Sequence, residues 1–115
     1  MALWMLKLKD ETVNPDFTPQ MLHAHMTVAL AYMQYGLECV LTSGRDGAHM
    51  TNSLHASGNA GDYRTYHVPQ EIRLTLIPAI KAALGPRYDV LYEENPGHLH
   101  VEYDYPKRQQ GSAPT

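Results

Sequence analysis

The 115-residue chain carries nine Lys and Arg against twelve Asp and Glu, a formal net charge of −3 with histidine neutral. One domain is the default at this length, and the acidic balance argues against a strongly basic nucleic-acid footprint. The single cysteine, Cys39, excludes an intrachain disulfide framework and a thiolate-rich structural zinc site.

The segment 1–9 is apolar but short, with neither a basic leader nor a small-residue cleavage site, and Asp10 and Glu11 follow at once. It reads as a structural arm rather than a secretion signal. No run reaches transmembrane length, so the expectation is a product made in the cytoplasm with no membrane partner. Thr18-Pro19 has the form of a helix N-cap followed by proline in the first turn. Leu22, Met26, Ala29, Leu30 and Met33 recur at helical spacing, and Gly36 closes the helix. Leu37 to Thr42 is short and apolar, as a buried strand is. Residues 43–59 are rich in Gly, Ser, Asn, Asp and His and read as a surface loop of the kind that carries sites.

Ala60 to Val68 is the next expected strand. Pro69 to Leu84 places Ile72, Leu76, Ile80 and Ala83 on one helical stripe, and Pro78 is expected to kink or restart that helix because it has no N–H to donate. Tyr88–Glu93 and Leu99–Tyr105 are expected strands joined by an Asn95-Pro96-Gly97 turn. This order predicts an α+β fold, an antiparallel sheet with flanking helices, as a single domain over 1–105. A disordered tail is expected over 106–115.

Seven histidines are present, and several stand in two short polar segments, Ser53 to Asp62 and Glu94 to His100. Two histidines and a carboxylate meet the needs of a catalytic zinc site, which takes three protein ligands and keeps one position open. Here they are His55, Asp62 and His100. His98 lies two residues from His100 on a strand and therefore shares its face. Zinc lowers the pKa of a water it binds toward ~7, and a nearby carboxylate must then accept the proton. Glu94 is the candidate, with Glu93 as its competitor. His98 and His49 are candidates for oxyanion stabilisation. Arg64, two past Asp62 on the same face, either orients a substrate carboxylate or pairs locally.

The pattern Ser-x-His-x-x-Gly-x-Ala-x-Asp, from Ser53 to Asp62, resembles the zinc-binding signature of the D-alanyl-D-alanine peptidase family. That family shares its zinc fold with the hedgehog signalling domain. The later Glu-x-x-x-His-x-His, Glu94 to His100, resembles the hedgehog form of the second motif. The resemblance runs from about Thr42 to Tyr103. It implies one zinc ion per chain on His55, Asp62 and His100, with Glu94 as general base. His49 and His98 are then in the surroundings, and Arg45, from the Thr42-Ser43-Gly44-Arg45 segment, assists substrate or oxyanion binding. Gly97 stands where many of these peptidases place their base. The implied activity is hydrolysis of peptidoglycan stem peptides at a bond involving D-alanine, by carboxypeptidase or endopeptidase action. The size and the leaderless sequence suit a phage lysis or virion protein. The alternative implied by the hedgehog likeness is a non-catalytic zinc-bearing interaction module.

Overall fold

The computed structural model describes residues 6–47, 54–95 and 97–106. Thr18 caps helix α1 (Pro19–Gln34), its side-chain oxygen accepting a hydrogen bond from the Met21 N–H at 3.2 Å. Strand β1 (Leu6–Leu8) precedes it, and β2 (Cys39–Ser43), β3 (Ala60–Arg64), α2 (Gln70–Leu84), β4 (Tyr88–Glu93) and β5 (His98–Tyr103) follow. Among the described residues the strands form one sheet in the order β1-β2-β3-β5-β4. β1 runs parallel to β2, and the other pairings are antiparallel. The fold is α+β, as expected, but the sheet is mixed rather than antiparallel. The N-terminal arm causes the difference, because it adds to the sheet edge beside β2 and the intervening α1 is a crossover long enough to permit parallel pairing.

α1 packs on β2, β3 and β5, and α2 packs on β4 and against α1. Period-two alternation gives the sheet an inner face of Leu41, Tyr63, Val90, Leu99 and Val101, closed by Val28, Tyr32, Leu76 and Ile80 from the helices. The buried stripe of α1 is Met21, Ala24, His25, Val28, Ala29 and Tyr32. Most of the expected stripe faces outward: Leu22, Met26 and Leu30 are exposed and Ala29 is buried. α1 is apolar on two sides, so spacing alone did not separate the core face from the solvent face. α2 buries Leu76, Ile80 and Leu84, with Ala83 exposed. The helix continues through Pro78 without restarting, with the proline at an exposed position. β3 stops at Arg64, short of the expected Val68, and a turn through Tyr66 and His67 leads into α2. The segment 107–115, most of the expected tail, lies outside the described residues. No helix of the described residues is long and apolar enough to cross a membrane.

Candidate metal centre

β3 and β5 are neighbours, and their register sets Asp62 directly opposite His100 and Arg64 opposite His98. The same alternation that turns Tyr63, Leu99 and Val101 inward turns Asp62, His98, His100 and Glu102 onto the face away from the helices. β4 adds Glu93 opposite His98 and Asp89 opposite Glu102.

His55 reaches this face from the turn Leu54–Gly58. Hydrogen bonds from Gly58 N–H to His55 C=O at 3.1 Å and from Asn59 N–H to Leu54 C=O at 2.8 Å close the turn. The start of α1 fastens it: Thr18 N–H donates to Gly58 C=O at 3.0 Å, and the Thr18 hydroxyl donates to Asn59 Oδ1 at 2.6 Å. Gly44 completes the support. Its carbonyl lies 2.8 Å from His55 Nδ1. Asp46 accepts from the N–H groups of Gly44 and Asn14 at 2.8 and 2.7 Å. The fit around Gly44 is close, for a Cβ there would stand 2.1 Å from the Asn14 carbonyl oxygen.

The three expected ligands converge. His100 Nδ1 is 2.8 Å from Asp62 Oδ1 and His55 Nε2 is 3.4 Å from Asp62 Oδ2, with all three side chains largely withdrawn from solvent. One donor atom from each lies within 4.8 Å of the others, so the group can hold a metal ion. The imidazole rings sit tilted, 5.2 Å between centroids. Burial works to raise the Asp62 carboxyl, yet hydrogen bonds and charge from His100 and His55 hold it well below the usual carboxylate range. Burial works to lower His100, but hydrogen bonds to Asp62 and Glu102, at 2.8 Å each, and their charges raise it to about 9. Without metal, His100 is therefore an imidazolium between two carboxylates at neutral pH.

The other expected residues divide. His98 stands beside the set, its Nε2 3.9 Å from Asp62 Oδ1, and is in hydrogen-bond contact with Glu93. Glu94 lies in the exposed turn after β4 and makes no side-chain hydrogen bond or ion pair among the described residues. Arg45 donates to Asp16 Oδ2 at 3.0 Å and to the Ala56 carbonyl at 3.2 Å, so it clamps the His55 turn from outside. His49 lies outside the described residues. Arg64 places its guanidinium over the Tyr66 ring at 5.0 Å, while its Nε is buried without a hydrogen bond among the described residues. Gly97 adopts φ +100°, a conformation that favours glycine, so the residue three before His100 is constrained by the turn.

Glu102 and Gly44, which back the two imidazoles, were not among the sequence candidates. For Glu102 the signal was available as the third member of the His98, His100, Glu102 alternation. The Gly44 carbonyl is a backbone group with no signature in residue type. Glu102 also falls within 4.8 Å of carboxylate oxygens of Asp89 and Asp104. A cleft of about 720 Å³ is lined by these three acids together with Lys81, Tyr88 and Leu91; Glu102 is the lining residue that also contacts His100.

No protein-family model matches the chain, and no curated protein matches it.

Proposed function

We propose that the chain is a zinc-dependent peptidase-type hydrolase that cleaves peptidoglycan stem peptides at a bond involving D-alanine, holding one zinc ion with His55, Asp62 and His100. The observation that carries this reading is the convergence of two imidazole nitrogens and one carboxylate from two strands and a separately braced turn. The donor set suits zinc, which takes nitrogen and carboxylate ligands and keeps a position open when catalytic. Both imidazoles have their other ring nitrogen on an oxygen, an arrangement typical of metal-ligating histidines. The two sequence motifs supply the substrate class by resemblance. Zinc held there would supply Lewis acidity toward a peptide carbonyl and toward water at neutral pH.

The chain's own residues divide the remaining work. Asp62 stays ionised and contributes negative charge at the centre. His98 Nε2 faces both Asp62 and the Glu93 carboxylate, so His98 positions Glu93 beside the centre, where that carboxylate can accept a proton from water and return it to a leaving amine. Glu93 thus takes the part that the resemblance assigned to Glu94. Its strand position directs it onto the ligand face, whereas Glu94 belongs to the turn.

The test is incubation of the zinc-loaded protein with purified peptidoglycan and with a synthetic stem peptide ending in D-Ala-D-Ala, the fragments being identified by mass spectrometry. Cleavage that is lost in Glu93→Gln and kept in Glu94→Gln is expected. Absence of cleavage by zinc-loaded wild type overturns the enzymatic reading and favours the interaction-module alternative. Loss in Glu94→Gln alone returns the base to Glu94.

A further inference from the structure

We propose that Glu102 is a positioning residue for the metal centre, holding His100 in the single tautomer and ring orientation that presents Nδ1 to the ion. This inference rests on the zinc reading above and extends it to a residue outside both sequence motifs.

Glu102 lies two residues beyond His100 on β5, so both side chains leave the same face of the sheet. Its Oε1 is 2.8 Å from His100 Nε2, and the opposite ring nitrogen, Nδ1, faces Asp62 at 2.8 Å. An imidazole presenting Nδ1 to a metal must carry its proton on Nε2, and an acceptor at Nε2 selects that form. Glu102 is that acceptor. Its side chain is only 15% exposed, so water competes weakly for the bond. A carboxylate withdrawn from water is costly unless it is hydrogen-bonded, and the bond to His100 meets part of that need.

His55 provides an internal comparison. It meets Asp62 through Nε2, and its Nδ1 is on the Gly44 carbonyl. The two rings therefore turn opposite nitrogens inward, and each has an oxygen behind the outward nitrogen. A chance ion pair at His100 would not account for the same logic, built from a backbone carbonyl, at His55. The difference is that Gly44 is fixed by Asn14 and Asp46, whereas the support at His100 is a side chain and can be removed by substitution.

The experiment compares Glu102→Ala and Glu102→Gln with wild type, using zinc as the probe in a chelator competition. Circular dichroism establishes that each variant is folded. Nitrogen-15 NMR of the zinc-loaded protein reads the tautomer of His100. Glu102→Ala is expected to bind zinc roughly 10- to 100-fold more weakly and to show a mixture of His100 tautomers. Glu102→Gln keeps an acceptor oxygen for Nε2–H and turns its amide N–H groups toward Asp89 and Asp104. It is expected to stay close to wild type in both readouts. Wild-type affinity in Glu102→Ala overturns the inference. So does a Glu102→Gln variant as weak as Glu102→Ala, since charge rather than positioning would then be responsible. If Glu102→Ala does not fold, the Gln comparison and the wild-type tautomer decide. Failure of wild type to bind zinc is a separate result, which overturns the metal centre itself.

Discussion

In its metal-free state this protein should have a pH-dependent stabilising contact at His100. In the metal-free fold the imidazolium lies between Asp62 and Glu102 and titrates at about 9, against an ordinary value of 6.5. The folded state therefore holds a proton between these values that the unfolded chain has released. Stability from this group is fully present below pH 6.5, falls as pH rises and is gone above 9. A shift of this size corresponds to about 3 kcal/mol at 1.36 kcal/mol per unit, and with 17% of the side chain exposed, solvent screening is a small correction. Other perturbed groups do not confuse this window: the Cys39 thiol, pushed up to about 12 by burial, enters only above pH 9 and is common to the two proteins compared. Asp62 is depressed, so its contribution is present above the ordinary carboxylate value and is lost only in acid. His25 is lowered by burial to about 4, so its contribution is complete above 6.5 and lost as pH falls toward 4. Urea unfolding in excess chelator, followed by circular dichroism between pH 6 and 10 for wild type and His100→Gln, isolates the effect. The stability difference between them should shrink by about 3 kcal/mol across the range. A difference that is flat, or that grows with pH, refutes the placement of His100 between two carboxylates.

Other consequences follow from the same contacts. Because a metal ligand must be deprotonated, zinc binding at pH 7.5 should release about one proton, measurable by calorimetry in two buffers of different ionisation enthalpy. Gly44→Ala drives a Cβ into the Asn14 carbonyl and displaces the oxygen behind His55. It should destabilise by about 4 kcal/mol or more and weaken zinc binding in whatever fraction folds, read by thermal melts and chelator competition. Tyr63→Phe removes the hydroxyl 2.8 Å from the buried His25 Nδ1. The expected cost is about 1–3 kcal/mol in urea unfolding with zinc affinity unchanged, since Tyr63 faces the core and Asp62 the other side.

What the sequence disclosed depended on how local the determining physics was. Thr18-Pro19 marked the start of α1 because capping is decided within one turn, and the polar turn around Asn95 marked the β4–β5 hairpin for the same reason. His55, Asp62 and His100 were legible as a candidate ligand set because residue type and spacing carry that chemistry, and the register of β3 against β5 brings the last two together. The core face of α1 was not legible, since Leu22, Met26 and Leu30 offer as apolar a stripe as Met21, Val28 and Tyr32. Only the sheet beneath decides between them. The parallel pairing of β1 with β2 depended on a distant edge being open. That Glu93 ends β4 opposite His98 while Glu94 falls in the turn depends on a single residue of register at a strand end, where a shift of one reverses the face. Arg45 resembled a substrate ligand in sequence, but in the fold its partners Asp16 and Ala56 come from chain segments that no motif connects.

The central claim is that His55, Asp62 and His100 hold one zinc ion. Its most direct test is the metal content of the purified chain by mass spectrometry, after loading with zinc and exhaustive dialysis, for wild type and for folded His55→Ala and His100→Ala variants. One zinc per wild-type chain, falling to background in both variants, is the expected result. A wild-type chain that retains no zinc, or variants that retain it in full, contradicts the account.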